Sequence, residues 1–270
     1  MVAAIRMLRA HWPEYVMEAA GLGAFMVSAG LVATLLEHPA SPLHQALPSP
    51  LLRRALMGIA MGLTAIALVY SPWGRRSGAH LNPAMTLIWL RLGKVAPWDA
   101  AFYVAAQFIG GTTGTFLVSA LLGSAFRGPP ISAIATTPGP AGPLAAFLAE
   151  AAMAFGLMLL VLTATGTPRV MRLTGLFAGT LIALYITVEA PLSGMSLNPA
   201  RTTSSALAGG PWTHLWIYYL APPLGMLLAV EAYRLLRRDR PVACAKLDHS
   251  PHHRCIHCGY QPPVREVAHA

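Results

Sequence analysis

The sequence predicts an all-α membrane protein in which six transmembrane helices and two re-entrant half-helices form an inverted repeat. The first observation is composition: 55% of the 270 residues are hydrophobic and only 11% are charged, whereas soluble domains average about 25% charged residues. The second is a block that occurs twice, as GAHLNPAM at Gly78–Met85 and as GMSLNPAR at Gly194–Arg201. The third is a Pro- and Gly-rich connection, residues 128–143, between the two halves that carry this block.

The repeated block predicts two helix starts. Asparagine is among the best N-cap residues, and proline suits the first helical position because no N–H partner is needed there. The helices that follow should end near Arg91 and Ala208, after roughly two to three turns, whereas a full span needs about 20 residues. They are therefore predicted to enter the membrane without crossing it. The triplets that begin them are Asn82, Pro83 and Ala84 in the first half and Asn198, Pro199 and Ala200 in the second.

Six continuous apolar segments predict full spans, three on each side of the middle connection. Their residues do not alternate between polar and apolar, which excludes a transmembrane β-barrel. The first segment carries Glu14 and Glu18 and is too long for a signal peptide, so we expect a retained span. The fifth is expected to end at Glu189. The predicted spans are Tyr15–Leu36, Leu51–Tyr70, Phe102–Leu122, Leu144–Thr165, Leu173–Val188 and Trp216–Leu236.

The placement of basic residues predicts the orientation. With both termini in the cytoplasm, twelve of the 19 Lys and Arg residues fall on the cytoplasmic side and three, Arg53, Arg54 and Arg127, on the other. This asymmetry follows the positive-inside rule, so the net charge of +9 is an orientation signal of a multi-pass protein of the cell membrane. The basic residues form no nucleic-acid recognition motif, so no nucleic-acid partner is expected.

One glutamate lies early in the first span of each half. Glu18 and Glu150 would be costly in a bilayer without partners, and we expect them to hold the non-helical backbone that leads into each half-helix. The alternative is that each carboxylate caps its own helix end at the membrane surface. Gln107, in the third span, is interpreted mainly as a hydrogen-bonding contact between helices.

These features resemble the aquaporin (major intrinsic protein) family, in its bacterial type. The residues that carry the resemblance are the loops Gly78–Ala84 and Pro191–Arg201, and Gln107 followed by Gly110 in the third span. The match covers about Glu14 to Leu236. It implies a channel domain over residues 1–240, with repeats at about 12–127 and 141–238, followed by a Cys/His-rich cytoplasmic tail at 241–270. It also implies a homotetramer in the lipid bilayer with one pore in each protomer.

The function implied is a passive channel for water and/or small neutral solutes, such as glycerol, urea or ammonia. Half-helices entering from opposite faces would bring Asn82 and Asn198 together at the membrane midplane, where their amides and the positive helix ends would exclude protons and cations. The sequence has no nucleophile–base pair, metal cluster within the membrane or nucleotide loop that would indicate an enzyme. The structural-support positions are Glu18, Glu150, Gln107 and His80.

The resemblance also implies a second, selective ring, formed by Arg201, Met195, Ile186 and Met61. Matching the second span to the family gives Met61, whereas counting back from the first Asn gives Gly62, so both stay open. Water-selective members usually have an aromatic residue and a histidine in this ring, and Ile186 stands here in place of the histidine. Thr202 stands where glycerol channels have an aspartate. We therefore expect a pore that is not strictly selective for water.

The tail contains all three cysteines of the chain. The Cys255-x2-Cys258 pair resembles a zinc knuckle, and Cys244 with His252 or His253 would complete a four-ligand site. A disulfide is not expected, because the predicted topology places the tail in the reducing cytosol. The alternative is a solvated tail without metal. No cofactor is required for channel function, so zinc is the one cofactor considered.

Two other function classes stay open from the sequence. Inverted repeats also build secondary transporters, although the predicted midplane offers amides and no spare carboxylate for coupling. The Cys/His tail would also suit a membrane-anchored metal or redox sensor.

Overall fold

The computed structural model describes residues 2–237, 242–249 and 252–261, and over these residues the protein is all-helical. Six helices are long and apolar enough to span a membrane and two have nine residues each, which confirms the predicted fold class. The main helices are α1 (Val2–Glu37), α2 (Pro50–Tyr70), α3 (Pro83–Arg91), α4 (Pro97–Leu122), α5 (Gly142–Thr165), α6 (Thr174–Ser193), α7 (Pro199–Leu207) and α8 (Leu215–Leu236). Short helical turns lie at Pro42–Ala46, Pro72–Ser77, Ser124–Arg127, Ser132–Ile134 and Met171–Leu173.

Three helix boundaries differ from the predicted spans by five residues or more. Helix α4 begins at Pro97 rather than Phe102, because proline suits a first helical position. Helix α1 begins at Val2 rather than Tyr15, because hydrophobicity marks the part of a helix inside the membrane and not its polar extension. Helix α6 was expected to end at Glu189 but continues through Pro191, since proline removes only one N–H from the last turns. It ends at Gly194, which has a left-handed φ of 80° and donates its N–H to the carbonyl of Ala190.

The helices pack as two similar halves. In each half the first span contacts the third, α1 with α4 and α5 with α8, and the halves meet along α2 and α6. At this central crossing a Cβ on Gly62 would lie 2.6 Å from the carbonyl oxygen of Gly179, and one on Gly58 would lie 2.4 Å from that of Ala183. The two central helices therefore approach through their glycines, as small residues allow in membrane bundles.

The two half-helices, α3 and α7, lie inside the bundle, and both contact α4 and α8. The outer surface of the bundle is apolar: Leu63, Leu121 and Leu184 are each more than half exposed. Leucines in such positions suit contact with lipid. The helical arrangement therefore places the two N-terminal ends of α3 and α7 in the interior.

The described tail residues, 242–249 and 252–261, pack against one end of the bundle, which we call the terminal face. Arg254 Nη2 donates to the carbonyl of Ala10 at 2.8 Å, and the N–H of Leu247 donates to that of Gly78 at 3.2 Å. Residues 238–241, 250–251 and 262–270, which belong to the basic end of the last span and to the Cys/His-rich tail, lie outside the described residues.

Candidate functional site

A cavity of about 240 Å³ runs along the centre of the bundle. On α2 its lining extends from Met57 to Val69, which is about 18 Å at 1.5 Å per residue. On α6 it extends from Gly175 to Ala190, about 22 Å. The cavity therefore follows most of the length of two membrane-spanning helices.

Asn82 and Asn198 both line this cavity and hold the two half-helices together. Asn82 Nδ2 donates to the carbonyl of Leu197 at 2.7 Å, and Asn198 Nδ2 donates to the carbonyl of Leu81 at 2.8 Å. Each side-chain oxygen caps its own helix, accepting from the N–H of Ala84 at 2.9 Å or of Ala200 at 3.0 Å. Pro83 and Pro199 occupy the first helical positions. An amide has two N–H groups, so each asparagine keeps a second donor.

The predicted support residue Glu18 is fully buried against the loop that precedes α3. Its carboxylate accepts from the N–H groups of His80 and Leu81, at 3.1 and 2.6 Å. The hydroxyl of Ser77 and the amide of Gln107 complete the set, at 2.7 and 2.8 Å. These four hydrogen bonds offset the cost of burying the Glu18 carboxyl group, and they fix the backbone before the first half-helix.

Glu150 repeats this arrangement in the second half. It accepts from the N–H groups of Ser196 and Leu197, both at 2.7 Å, and from the hydroxyl of Ser193 at 2.7 Å. Glu150 also has a positive charge nearby, that of Arg201, whereas the equivalent position in the first block is the uncharged Met85. The two glutamates therefore play equivalent structural parts in the two repeats.

The backbone conformation explains how one carboxylate reaches two successive N–H groups. Ala79 and Leu81 have φ values of 55° and 50°, and the equivalent Met195 and Leu197 have 49° and 57°. Left-handed residues at such positions help to turn successive N–H groups toward one anion. This strained conformation for non-glycine residues is held by the buried glutamates.

The structure shows a second pair of equivalent contacts, made by tyrosines, that was not predicted from the sequence. The hydroxyl of Tyr103 on α4 donates to the carbonyl of Ser77 at 2.7 Å, and that of Tyr218 on α8 donates to the carbonyl of Ser193 at 2.6 Å. Both serines directly precede the repeated block, so extending the comparison of the two blocks by one residue would have found them.

Gln107 and His80 belong to one buried network. Gln107 Nε2 donates to the hydroxyl of Thr86 at 3.0 Å as well as to Glu18. The Nδ1 atom of His80 lies 3.2 Å from the same hydroxyl, and its Nε2 donates to the carbonyl of Ala245 in the tail at 2.7 Å. His80 therefore connects the first half-helix to the tail.

The four residues expected in the selective ring, Arg201, Met195, Ile186 and Met61, all line the cavity. Arg201 Nη1 is buried and has no hydrogen-bond partner among the described residues, so it is a spare donor there. Between the two positions left open, Met61 lies on the cavity, whereas Gly62 contacts α6.

Phe25 of α1 and Met57 of α2 also line the cavity, and the sequence analysis did not assign either of them. Both pack against the apolar cluster that contains Met61 and also contacts Ile186. Met57 is one helical turn before Met61, so helix periodicity could have found it. Phe25 shows no comparable local signal, and it adds an aromatic ring to the cavity wall.

The three cysteines come together in the tail, but their histidine partner is not the expected one. Ligand atoms of Cys244, His249, Cys255 and Cys258 all lie within 4.8 Å of one another. His252 and His253 are outside this cluster, so the prediction that one of them completes the site is wrong. The fold of the tail brings His249 to Cys258 instead, with Nε2 3.2 Å from Sγ.

Hydrogen bonding within this cluster favours the thiolate form of Cys255. A hydrogen bond from Cys244 lowers the pKa of the Cys255 thiol, and Sγ–Sγ is 3.4 Å. Hydrogen bonding to the Cys255 sulfur raises the pKa of His249 to about 9. The donor set, three sulfurs and one imidazole nitrogen, is the type that Zn²⁺ binds in structural sites.

Comparison with known proteins agrees with this geometry. The sequence model of the major intrinsic protein family matches residues 8–233. Aquaporin NIP2-3 of Zea mays is 37% identical over 193 residues, which are 70% of this chain and 61% of that protein. Putative aquaporin NIP4-1 of Arabidopsis thaliana is 35% identical over 187 residues, 68% of this chain and 64% of that protein. The chain thus spans less than two thirds of the length of these relatives.

Among solved structures, that of the aquaglyceroporin from Plasmodium falciparum matches with a TM-score of 0.64 and 23% identity, covering 83% of this chain and 95% of that chain. At this identity the match establishes a shared fold. The family match covers most of the sequence and includes both half-helices. The chain therefore belongs to the major intrinsic protein family.

Proposed function

We propose that this protein is a passive transmembrane channel for water and small neutral solutes such as glycerol, urea or ammonia. The observation that carries the proposal is the cavity that follows two membrane-spanning helices and is lined by both half-helix asparagines, Asn82 and Asn198. A passage with a few fixed hydrogen-bond donors suits a neutral molecule that moves through without a chemical step. We propose that the protein has no enzymatic activity.

The exclusion of protons and cations is proposed to depend on the two asparagines. Each uses one amide N–H on the opposing loop, at 2.7 and 2.8 Å, and keeps the other for a solute oxygen. A water oxygen that accepts from both amides cannot also accept a proton from its neighbour. The N-terminal ends of α3 and α7 add roughly half a positive charge each at the same place.

Selectivity is proposed to depend on Arg201, Met195, Ile186 and Met61. Arg201 supplies a fixed cation with a free N–H donor, whereas the other three side chains offer no strong hydrogen bond. Thioether side chains are flexible and adapt to different shapes. A ring of this composition is proposed to admit at least one solute larger than water.

The setting proposed for the channel is a cell membrane, with both termini in the cytoplasm and four protomers in a homotetramer. The orientation rests on the excess of Lys and Arg on one side of the predicted topology. The oligomer rests on the family to which the chain belongs. With both termini in the cytoplasm, the terminal face, where residues 242–249 and 252–261 dock, would lie on the cytoplasmic side.

Stopped-flow light scattering on proteoliposomes tests the channel. Vesicles containing the full chain are exposed to osmotic gradients and to gradients of glycerol and urea, with and without a metal chelator. We expect faster volume changes than in protein-free vesicles for water and for at least one solute. The variant Leu184→Ala, on the outer surface, is the matched control and should behave as the parent. Permeability equal to that of empty vesicles in every condition would refute a channel.

A further inference from the structure

The described residues of the tail pack against the end of the cavity that lies at the terminal face. Val242, Ala245 and Leu247 are at most 5% exposed and belong to the same apolar cluster as Val69 and Ala178. Leu247 itself lines the cavity, next to these residues at the end of the lining on α2 and α6. An apolar side chain from the tail thus occupies a place in the wall of the proposed pore.

Three hydrogen bonds join this segment to the loop before the first half-helix. The N–H of Leu247 donates to the carbonyl of Gly78 at 3.2 Å, and His80 Nε2 donates to the carbonyl of Ala245 at 2.7 Å. His257 Nε2 donates to the carbonyl of Ser77 at 3.0 Å. A Cβ on Gly78 would lie only 2.9 Å from the Ala245 oxygen, so this glycine permits the close approach.

Buried charges add to the contact. Lys246 is 2% exposed and donates to the carbonyl of Arg75 at 2.9 Å. Arg75 Nε pairs with Asp248 at 2.8 Å, and Arg254 pairs with the fully buried Glu14 at 3.3 Å. Charged side chains are seldom buried without such partners. The contact between the tail and the bundle therefore combines apolar burial with paired charges, as a specific interface does.

The residues of the Cys/His cluster bracket Leu247 in the sequence. Cys244 is three residues before it and His249 two residues after it, and Cys255 and Cys258 close the cluster from the following turn. In a tetrahedral zinc site with Zn–S near 2.3 Å, sulfur atoms lie about 3.8 Å apart. The 3.4 Å between the Cys244 and Cys255 sulfurs comes close to that spacing. The 3.2 Å between His249 Nε2 and Cys258 Sγ comes close to the roughly 3.6 Å expected between nitrogen and sulfur in the same geometry.

We propose that Cys244, His249, Cys255 and Cys258 bind one thiophilic divalent cation of the Zn²⁺ class, and that the metal-bound tail closes the cytoplasmic end of the pore with Leu247. The metal site stands on the ligand geometry alone, whereas the closure rests on the proposed channel function. A short segment without regular helices has little intrinsic order, and metal coordination supplies the free energy that keeps it folded. Loss of the metal releases the loop that carries Leu247 and opens the pore.

The metal site is tested on the full chain, purified without chelator and with reductant. Elemental analysis should give about one zinc per chain for the parent, as expected for a four-ligand site. The variant His249→Ala should lose the metal, whereas His252→Ala, which alters an exposed histidine outside the cluster, should retain it. Zinc loss from His252→Ala but not from His249→Ala would overturn the ligand assignment.

Cobalt substitution provides a second measurement that does not depend on a variant folding. Refilling the chelator-treated parent with Co²⁺ should give the visible absorption bands of tetrahedral thiolate coordination. A parent that contains no zinc and shows no such bands would overturn the metal site, as would a Cys244–Cys255 disulfide found by mass spectrometry in protein kept under reductant.

The closure is tested by stopped-flow flux with the same preparations. Chelation of the parent should raise solute permeability severalfold, and return of zinc should reverse the change. Leu247→Ala should raise permeability while zinc content stays at the parent level. Flux that is measurable but insensitive to chelation and to Leu247→Ala would overturn the closure and leave the channel proposal standing. Flux absent from parent, chelated parent and Leu247→Ala alike would overturn the channel proposal itself, while the zinc content would still decide the metal site.

Discussion

Asn82 and Asn198 each donate a side-chain hydrogen bond to the backbone carbonyl that precedes the other, at 2.7 Å to Leu197 and 2.8 Å to Leu81. They are the two asparagines of the 270-residue sequence. Each also caps its own half-helix through its side-chain oxygen. One residue type thus begins a helix, joins the two halves of the protein and presents an amide to the cavity, which makes this pair the first target for mutation.

Asn198→Asp should make the pore leak protons or cations. The carboxylate still accepts the cap hydrogen bonds, but it loses the N–H donor to Leu81 and adds a negative charge beside the positive helix ends. A pH-sensitive dye inside proteoliposomes measures the leak under a pH gradient. Vesicles as proton-tight as those of the parent would contradict the proposed role of Asn198.

Arg201→Val should raise glycerol or urea permeability relative to water. The change removes the fixed cation, whose Nη1 has no hydrogen-bond partner among the described residues, and replaces it with a smaller apolar side chain. Stopped-flow measurements of the three permeabilities give the ratio. Arg127→Val, outside the residues that line the cavity, is the matched control. An unchanged ratio in Arg201→Val would mean that this arginine does not line the constriction.

With the tail metal removed by a chelator, the parent should pass at least one small neutral solute besides water. Met61, Ile186 and Met195 provide no donor for water that has lost its hydrogen-bond partners, and flexible thioethers yield to a larger solute. Ile186→His should shift the permeability ratio back toward water. Rapid water flux with exclusion of glycerol, urea and ammonia in the parent would show that Phe25, also on the cavity wall, or another group sets the selectivity.

Glu150→Ala should destabilise the protein strongly. The change leaves the hydroxyl of Ser193 and the N–H groups of Ser196 and Leu197 without their acceptor, and an unsatisfied buried donor costs about 1–3 kcal/mol. Thermal unfolding in detergent, followed by loss of the monodisperse species, measures the effect. Glu231→Ala is the control, because this glutamate is 47% exposed and its ion pairs lie at the surface. Equal melting temperatures for the two variants would refute the proposed support role.

Much of the architecture follows from local properties of the chain. The spans are continuous apolar segments. Each of the two Asn-Pro-Ala triplets begins a helix, because the N-cap preference of asparagine and the fixed φ of proline act within a few residues. Both half-helices begin at the predicted prolines and end at Arg91 and Leu207, within one residue of the predicted ends. The two early glutamates were recognised for a similar reason, since a carboxylate inside an apolar span requires partners.

Other features depend on residues that are distant in the sequence, and only the tertiary structure decided them. Whether Met61 or Gly62 faces the cavity depends on how α2 crosses α6, since neighbouring helical residues point in directions about 100° apart. His249 replaces His252 or His253 in the cysteine cluster because the turn of the tail, and not spacing alone, brings it to Cys258. The tail reaches the cavity through a contact between His80 and Ala245, 165 residues apart. Local pattern thus determined which segments are helices and where they begin, whereas long-range packing decided which side chains meet.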